Sequence, residues 1–583
     1  MAFLPRTAGL ALIALCALTA CSAPAPPAPT TAAAAVPADP WPEFSARFLE
    51  EYFRANPFFA VEAGRHEFDG QMPDVSAAGI TAEVNLLQRL RAQAQAIDPA
   101  ALTVPERQER EHLLVAIDSD LFWLARARAP FRSPSWYIDQ LDPDVYLNRP
   151  YAPLAQRLQG YIGYARAIPR IAAAIRANLA TPMPRTFIER GIAGFGGYAD
   201  FYRKDVAPVF AAVQDPKAQE ELRQANVAAA AAMQELKTWL QGERAHATED
   251  FALGEPLFLE MLRSTERVDV PVAQLLEIGE ADLKRNTDSL TAACARFLPH
   301  GTLGACVEKM NANKPAGGAL AGAREQLTQL RAFVIDRKVV SVPGDEQALV
   351  AEAPPYNRAN AAYINIPGPY DKNVPYVYTI SPPDPAWSAR ERAEYIPGKA
   401  SLLYTSVHEV WPGHFLQFLH ANRNPSKIAA LWVGYAYAEG WAHYAEQLMW
   451  DEGLGDGDPE QHVGQLVNAL ERNVRFLAAI RLHTGGLSVA QAEHMFREQA
   501  YLDPGDARQQ AARGTYDPQY LDYTLGKLMI MKLRSDWVAQ QPGASAATDP
   551  RTYWHDFHDR FLSYTGPIPA IRAAMVGEGG SLL

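Results

Sequence analysis

Two histidines and several carboxylates between Tyr404 and Glu446 have the residue types of a catalytic zinc site. The first group is His408-Glu409-Val410-Trp411-Pro412-Gly413-His414, and the second is Glu439-Gly440-Trp441-Ala442-His443-Tyr444-Ala445-Glu446. Zinc takes imidazole nitrogen and carboxylate oxygen, and a catalytic site leaves one position for water. In the familiar zincin motif the two histidines lie four apart on one helix face, with a glutamate as base. Here they lie six apart. Six residues of unbroken helix turn through about 600°, which leaves the rings about 120° apart. Proline removes a backbone donor and clashes with the preceding turn, and glycine permits irregular geometry. Pro412-Gly413 therefore predicts a bent helix that swings His414 toward His408.

The third ligand follows from the elements that must carry it. Asn422 to Lys427, with Pro425, reads as a turn. Helix from His414 to Asn424 descends about 15 Å, and helix from Ile428 to Glu439 climbs back about 16 Å. That antiparallel return sets Glu439 level with the two histidines. His443, one turn further, is an alternative ligand or a supporting group. Glu446 can orient a ligand imidazole from behind. Glu409 is placed as general base. Tyr523, shortly before Gly526, is the candidate oxyanion donor, and Arg534 the candidate binder of a peptide carboxylate. His420 has no chemical role in this reading. Ahead of the metal segment, Ala361 to Ile366 and Tyr376 to Ile380 are β-rich runs joined by Pro367 to Pro375, as in a short hairpin or small sheet. An exposed strand through Tyr378 could hold an extended peptide by main-chain pairing. A packed hairpin with no ligand is the alternative.

The rest of the chain is mainly helical. Apolar residues recur at helical spacing from Phe44 to Phe53, Leu86 to Ala94 and Leu113 to Leu124. Further helices are expected near 154–179, 216–242, 320–336, 459–482, 489–500, 518–540 and 568–576. Cys294 to Lys314, rich in Gly, Asn and Pro, reads as irregular. His66, His112 and His246 read as surface or helix decoration. With 583 residues, 48% hydrophobic, 21% charged and a net charge of -12, the composition is that of a globular protein. No basic run supports nucleic-acid binding.

Residues 1–20 read as a signal peptide: Arg6, then the apolar run Ala8 to Ala20, too short for a stable span. Leu18-Thr19-Ala20-Cys21 resembles a bacterial lipobox, with Cys21 the lipidated residue; an ordinary signal peptide containing Cys21 is the alternative. Residues 21–40, nearly all Ala, Pro, Ser and Thr after the cysteine, read as a tether. Cys294 and Cys306 are either a disulfide suited to an oxidising compartment or two buried thiols.

The string His408-Glu-Val-Trp-Pro-Gly-His414-Phe-Leu-Gln417, followed by Glu439 to Glu446, resembles the DUF885 family of bacterial proteins. Its pattern is His-Glu-x-x-Pro-Gly-His, often with a second histidine directly after, where this chain has Phe415. A family-like Arg…Asp-Thr-Gly stretch reads Arg481-Leu-His483-Thr484-Gly485 here. The family is grouped with the gluzincin-like metallopeptidases, and many members carry export or lipoprotein signals. The resemblance implies a mainly α, two-lobed fold with a deep cleft, with possible lobes at about 41–290 and 291–583. It implies one zinc ion on His408, His414 and Glu439, with Glu409 as base. The expected function is peptide hydrolysis in the cell envelope by a lipid-anchored protein facing the periplasm or the outside. The alternatives are a zinc hydrolase of another amide or ester bond, and an inactive lipid-anchored binding protein. A serine hydrolase is disfavoured, because no Gly-x-Ser-x-Gly elbow occurs.

Overall fold

A computed structural model describes residues 40–583 except 354–357, 359–360, 384 and 386. The signal peptide, the tether and Cys21 lie outside the described residues. The chain is mainly helical with one small three-stranded sheet. Local chemistry starts and stops the helices. Val104–Leu121 opens on a capping box between Thr103 and Glu106 and buries Leu113, Leu114 and Ile117. Leu154–Asn178, Arg185–Lys204 and Pro216–Glu243 pack side by side over a core that includes Tyr161, Tyr164 and Phe195. A second core gathers Trp41, Phe48 and Leu87 beneath the first helices and reaches Ile428. The largest core holds Tyr404, Trp411, Phe415 and Trp441, so the metal segment runs through its centre.

Three expectations change. Cys294 to Lys314 is not irregular: Val272–Phe297 ends there, Leu303–Ala312 follows, and a bond between the sulfurs of Cys294 and Cys306 ties the two helices together. The β-rich runs form more than a hairpin. Strands β1 (Ala348–Glu352), β2 (Ala362–Asn365) and β3 (Tyr376–Ile380) are ordered β1-β3-β2. β3 pairs parallel to β1 and antiparallel to β2. Both edges of β3 are therefore occupied, and Tyr378 is fully buried, so this strand cannot pair with a peptide. Lastly, the metal segment is not one bent helix. Lys399–Glu409 stops, and a new helix, His414–Ala421, begins after four residues.

Candidate metal centre

His408 is the penultimate residue of its helix, and His414 is the first of the next. Between them the chain doubles back on itself. Gly413 donates to the Val407 carbonyl at 3.0 Å, and Trp411 donates to Ser406 at 3.3 Å. A Cβ at Gly413 would lie 1.8 Å from the His408 carbonyl oxygen, so only glycine lets the turn close this tightly. The two imidazoles meet perpendicularly, with ring centroids 4.9 Å apart.

Glu439 arrives by a different route from the expected long return helix. Lys427–Leu431 is a short helix, and Tyr435–Asp451 starts afresh four residues later, so Glu439 sits near the beginning of a helix. Glu266 accepts from the Ala436 amide at 3.2 Å and holds that beginning in place. Cross-links fix the helix to the turn: Trp441 donates its indole N–H to the Pro412 carbonyl at 2.8 Å, and Gln417 donates to the Tyr437 carbonyl at 3.1 Å.

The result is a tight trio. Glu439 Oε2 lies 3.3 Å from His408 Nε2 and 3.2 Å from His414 Nε2. One ligand atom from each of the three residues falls within 4.8 Å of the others. Two ligands on a tetrahedral zinc, each about 2.0–2.1 Å from the ion, are about 3.3 Å apart. The spacing thus fits one zinc ion. The donor set of two imidazole nitrogens and one carboxylate oxygen also leaves the open position that catalysis needs. Glu439 Oε2 is buried and makes no hydrogen bond.

Supporting charges surround the trio. Glu446 Oε1 accepts from His408 Nδ1 at 2.8 Å, which turns Nε2 toward Glu439. Arg472, on the Pro459–Thr484 helix, lies 3.6 Å from the same oxygen. Burial lowers the His408 pKa, but the Glu439 and Glu446 carboxylates outweigh it and raise it to about 9. Burial likewise raises the carboxyl of Glu439, yet the two imidazoles hold it well below the usual range. Burial pushes Glu409 up, against the pull of His408 and His414. His443 does not join the trio. It is fully buried, its Nδ1 lies 3.7 Å from Glu446, and burial with the nearby Lys527 cation lowers its pKa to about 3.

Tyr523 is brought in. Its ring stacks 6.0 Å from that of His408. The Tyr435–Asp451 and Asp522–Ala539 helices cross at Gly440 and Gly526, where a Cβ on Gly440 would lie 2.5 Å from the Gly526 Cα. That backbone-to-backbone contact holds the Tyr523 end of one helix against the Glu439 end of the other. Burial and the Glu439 charge push the Tyr523 phenol up to about 12. Arg534 faces elsewhere. It donates to the Tyr444 hydroxyl at 2.6 Å and stacks 3.6 Å above Trp554. Tyr444 is five residues beyond Glu439, about 140° around the helix, so Arg534 lies on the side away from the trio. Tyr378 is buried beside Glu409 and Ser406 as packing.

The sequence reading missed Arg472, which looks like any other helical arginine next to a glutamate. It also misjudged two histidines as decoration. His66 bridges Asp69 and Asp371, each at 3.1 Å, and stacks on Tyr151. His112 is buried and donates to the Trp432 carbonyl. His483, in the altered family stretch, accepts from the Leu253 amide at 3.2 Å and donates to the Gly514 carbonyl at 2.8 Å, so it ties two segments together.

No curated protein sequence matches the chain significantly. Solved structures that share its fold include these two. One is a protein of unknown function from Shewanella oneidensis, described as a candidate lipoprotein: TM-score 0.74, 22% identity, covering 92% of this chain and 99% of that one. The other, from Colwellia psychrerythraea and also described as a candidate lipoprotein, has TM-score 0.74 and 18% identity and covers 91% of this chain and 98% of that one. A family model described as bacterial protein of unknown function matches residues 57–572, and the chain therefore belongs to the DUF885 family.

Proposed function

We propose that this protein is a zinc-dependent peptidase of the cell envelope. The observation that carries the reading is the convergence of His408, His414 and Glu439 at the ligand spacing of a single tetrahedral ion, with Glu409 next to it in sequence. Zinc held there supplies a Lewis acid and lowers the pKa of a water in the site to about 7. Glu409 takes the proton of the attacking water and delivers it to the leaving amine. Burial raises its pKa above that of a free carboxyl, which suits a group that must both accept and return a proton. Tyr523 stays protonated, because its pKa is pushed up to about 12, and donates to the oxyanion that develops on the scissile carbonyl. Glu446, backed by Arg472, keeps His408 in the tautomer and orientation the trio requires.

The peptide pairs with the outer edge of β2, which packs on the Lys399–Glu409 helix and has no strand partner beyond it among the described residues. The two-lobed reading, with a cleft between about 41–290 and 291–583, belongs to this proposal. A cavity lined by residues from both stretches supports it. We place the protein on a lipid at Cys21. The candidate-lipoprotein descriptions of the two similar structures support that placement, and no described helix is long and apolar enough to cross a membrane.

The test is elemental analysis with peptide hydrolysis. The parent protein should carry one zinc and cleave peptides. Glu409→Gln should keep the zinc and lose turnover, and His414→Ala should lose both. A parent protein without zinc, or a Glu409→Gln variant that hydrolyses peptides at the parental rate, overturns the reading.

A further inference from the structure

A cavity of about 440 Å³ lies apart from the metal centre and shares none of its ligands. Its size is that of a ligand pocket. One wall comes from the first helices, through Tyr52, Asn56, Glu83 and Asp120, and the opposite wall from Thr515 to Pro518. The second wall continues through the Pro518–Leu521 turn directly into Tyr523, whose ring stacks on His408. One short segment of chain thus joins the cavity wall to Tyr523.

Its chemistry is unusual for a structural gap. Six acids line it, Glu62, Asp74, Glu83, Asp120, Asp139 and Asp517, against two basic residues, Arg132 and a His483 whose pKa burial lowers to about 4. Asp139 and Asp517 are held by Arg190 and Arg513. Asp120 receives only the Tyr52 hydroxyl, at 3.0 Å, and Glu83 faces Asn56. Among the described residues, no lysine, arginine or histidine lies within ion-pair distance of Glu83 or Asp120. Asp118, two residues away on the same helix, is by contrast held by both Arg91 and Arg267. The acid facing the cavity is the one left without a cation. Burial raises Asp120 to about 7, with the neighbouring Glu83 charge adding to it. Such groups cost free energy unless a counter-charge joins them.

An independent observation also points to a ligand. Ser133 lines the same cavity, is only 9% exposed, and its hydroxyl has no hydrogen-bond partner. Between the polar groups stand Phe58, Phe59, Trp123 and Trp136. Aromatic faces attract cations, and they also pack against a methylene stem.

We infer that this cavity is a specificity pocket for a basic side chain, lysine or arginine, of a peptide. The ammonium or guanidinium sits between Glu83 and Asp120, the stem lies along the aromatic rings, and Ser133 takes one of the donated hydrogen bonds. The inference deepens the peptidase reading and rests on it for the ligand being a peptide. An α-amine alone has no stem to fill the aromatic part, so the side chain is the fitting source of the charge.

The experiment is titration calorimetry on the Glu409→Gln protein, which reads binding without turnover. The probes are acetyl-Ala-Ala-Lys-Ala-amide, its arginine counterpart, its norleucine counterpart and free Ala-Ala-Nle-Ala-amide. The lysine and arginine peptides should bind at least tenfold tighter than the acetylated norleucine peptide. That preference should vanish in Glu83→Gln/Asp120→Asn while Tm stays level or rises, because two like charges have been removed from each other. Carboxylates that merely hold the fold together would lower Tm instead. Equal binding of acetylated lysine and norleucine peptides overturns the inference, as does a preference that survives the double variant. So does tight binding of the free-amine norleucine peptide alone. Should the double variant fail to fold, the isosteric Glu83→Gln carries the same test with at least a threefold loss of preference. Binding of basic peptides by a parent protein that hydrolyses none keeps the pocket and sinks the peptidase reading. Hydrolysis with no basic preference does the reverse.

Discussion

Replacing Gly413 with alanine perturbs the turn that brings the two histidines together while leaving every ligand in place. The backbone angles at Gly413 are φ -70° and ψ -138°, so left-handed geometry is not what excludes a side chain. The close approach is. An added Cβ would lie 1.8 Å from the His408 carbonyl oxygen, and also 2.4 Å from the Val407 oxygen; contacts under 3.0 Å force something to move. The turn must therefore open by about 1.2 Å, the gap between 1.8 and 3.0 Å. Both atoms it presses on are backbone, one of them belonging to a ligand residue. Metal sites tolerate about 0.2 Å of ligand displacement. The displacement exceeds that several-fold, so one imidazole leaves the ion. We expect zinc affinity to fall about 100-fold, equivalent to about 2.7 kcal/mol. Overpacking should cost a further 1–3 kcal/mol or about that in fold stability. Competition against a chelator of known affinity measures the first quantity, and urea unfolding of the metal-free protein measures the second. A Gly413→Ala protein that folds and binds zinc within threefold of the parent refutes the reasoning.

Three other perturbations have clear expected outcomes. Glu446→Gln removes the acceptor charge behind His408 and should weaken zinc binding by about 10–100-fold with the fold intact; chelator competition reads it. His66 lies between Asp69 and Asp371; burial lowers its pKa, but the two carboxylates raise it to about 8. A folded pKa above the unfolded value gives stabilisation that is complete below about 6.5 and lost as pH rises through about 8. Asp371→Asn should therefore lower Tm clearly at pH 5.5 and much less at pH 9.5, and an equal drop at both would remove the charge argument. The bond between Cys294 and Cys306 closes a loop at a sequence separation of 12. Loop-closure entropy for that length is worth about 3 kcal/mol, so a double alanine variant should show a matching loss in urea unfolding, with no effect of reductant.

Legibility in the sequence followed the range of the interactions. Helix periodicity is local, so Leu154–Asn178, Pro216–Glu243 and Pro459–Thr484 were readable within a residue or two. The trio was readable because its parts lie within 32 residues and Pro-Gly marks the turn. Glu439 was reached at the right level by the wrong path, since chain length constrains only where a return ends, not how many helices it uses. β1 was missed: it pairs in parallel with a strand 28 residues on, and it lacks the aromatic run that marks β3. That same pairing is what buries Tyr378. Arg534 sits on a helix that does reach the centre, but helical phase turns it toward Trp554, and phase against a distant helix is not written in spacing. Asp69 is three residues from His66, but Asp371 is 305 residues away, so nothing near His66 in the sequence reveals the second carboxylate.

The tautomer of His408 gives the physical reason the trio calls for a cation. Its Nδ1 is 2.8 Å from a Glu446 oxygen that is buried and charged, so Nδ1 must carry the proton and donate it. Without a metal, burial lowers the His408 pKa but the Glu439 and Glu446 carboxylates raise it to about 9, so at neutral pH Nε2 carries a proton as well; a metal ion displaces that proton and leaves a lone pair on Nε2. That lone pair faces Glu439 Oε2 at 3.3 Å, and the same oxygen stands 3.2 Å from His414 Nε2. Acceptors brought this close out of water repel one another unless something positive lies among them. A second proton on an imidazole relieves one contact of the two at a time. On the proposed reading a divalent ion relieves both at once, accepts all three lone pairs, and gives the buried Glu439 Oε2 a partner. Glu446 and Arg472 therefore matter beyond alignment, because by holding the proton on Nδ1 they leave Nε2 as the nitrogen that can turn a lone pair to an ion.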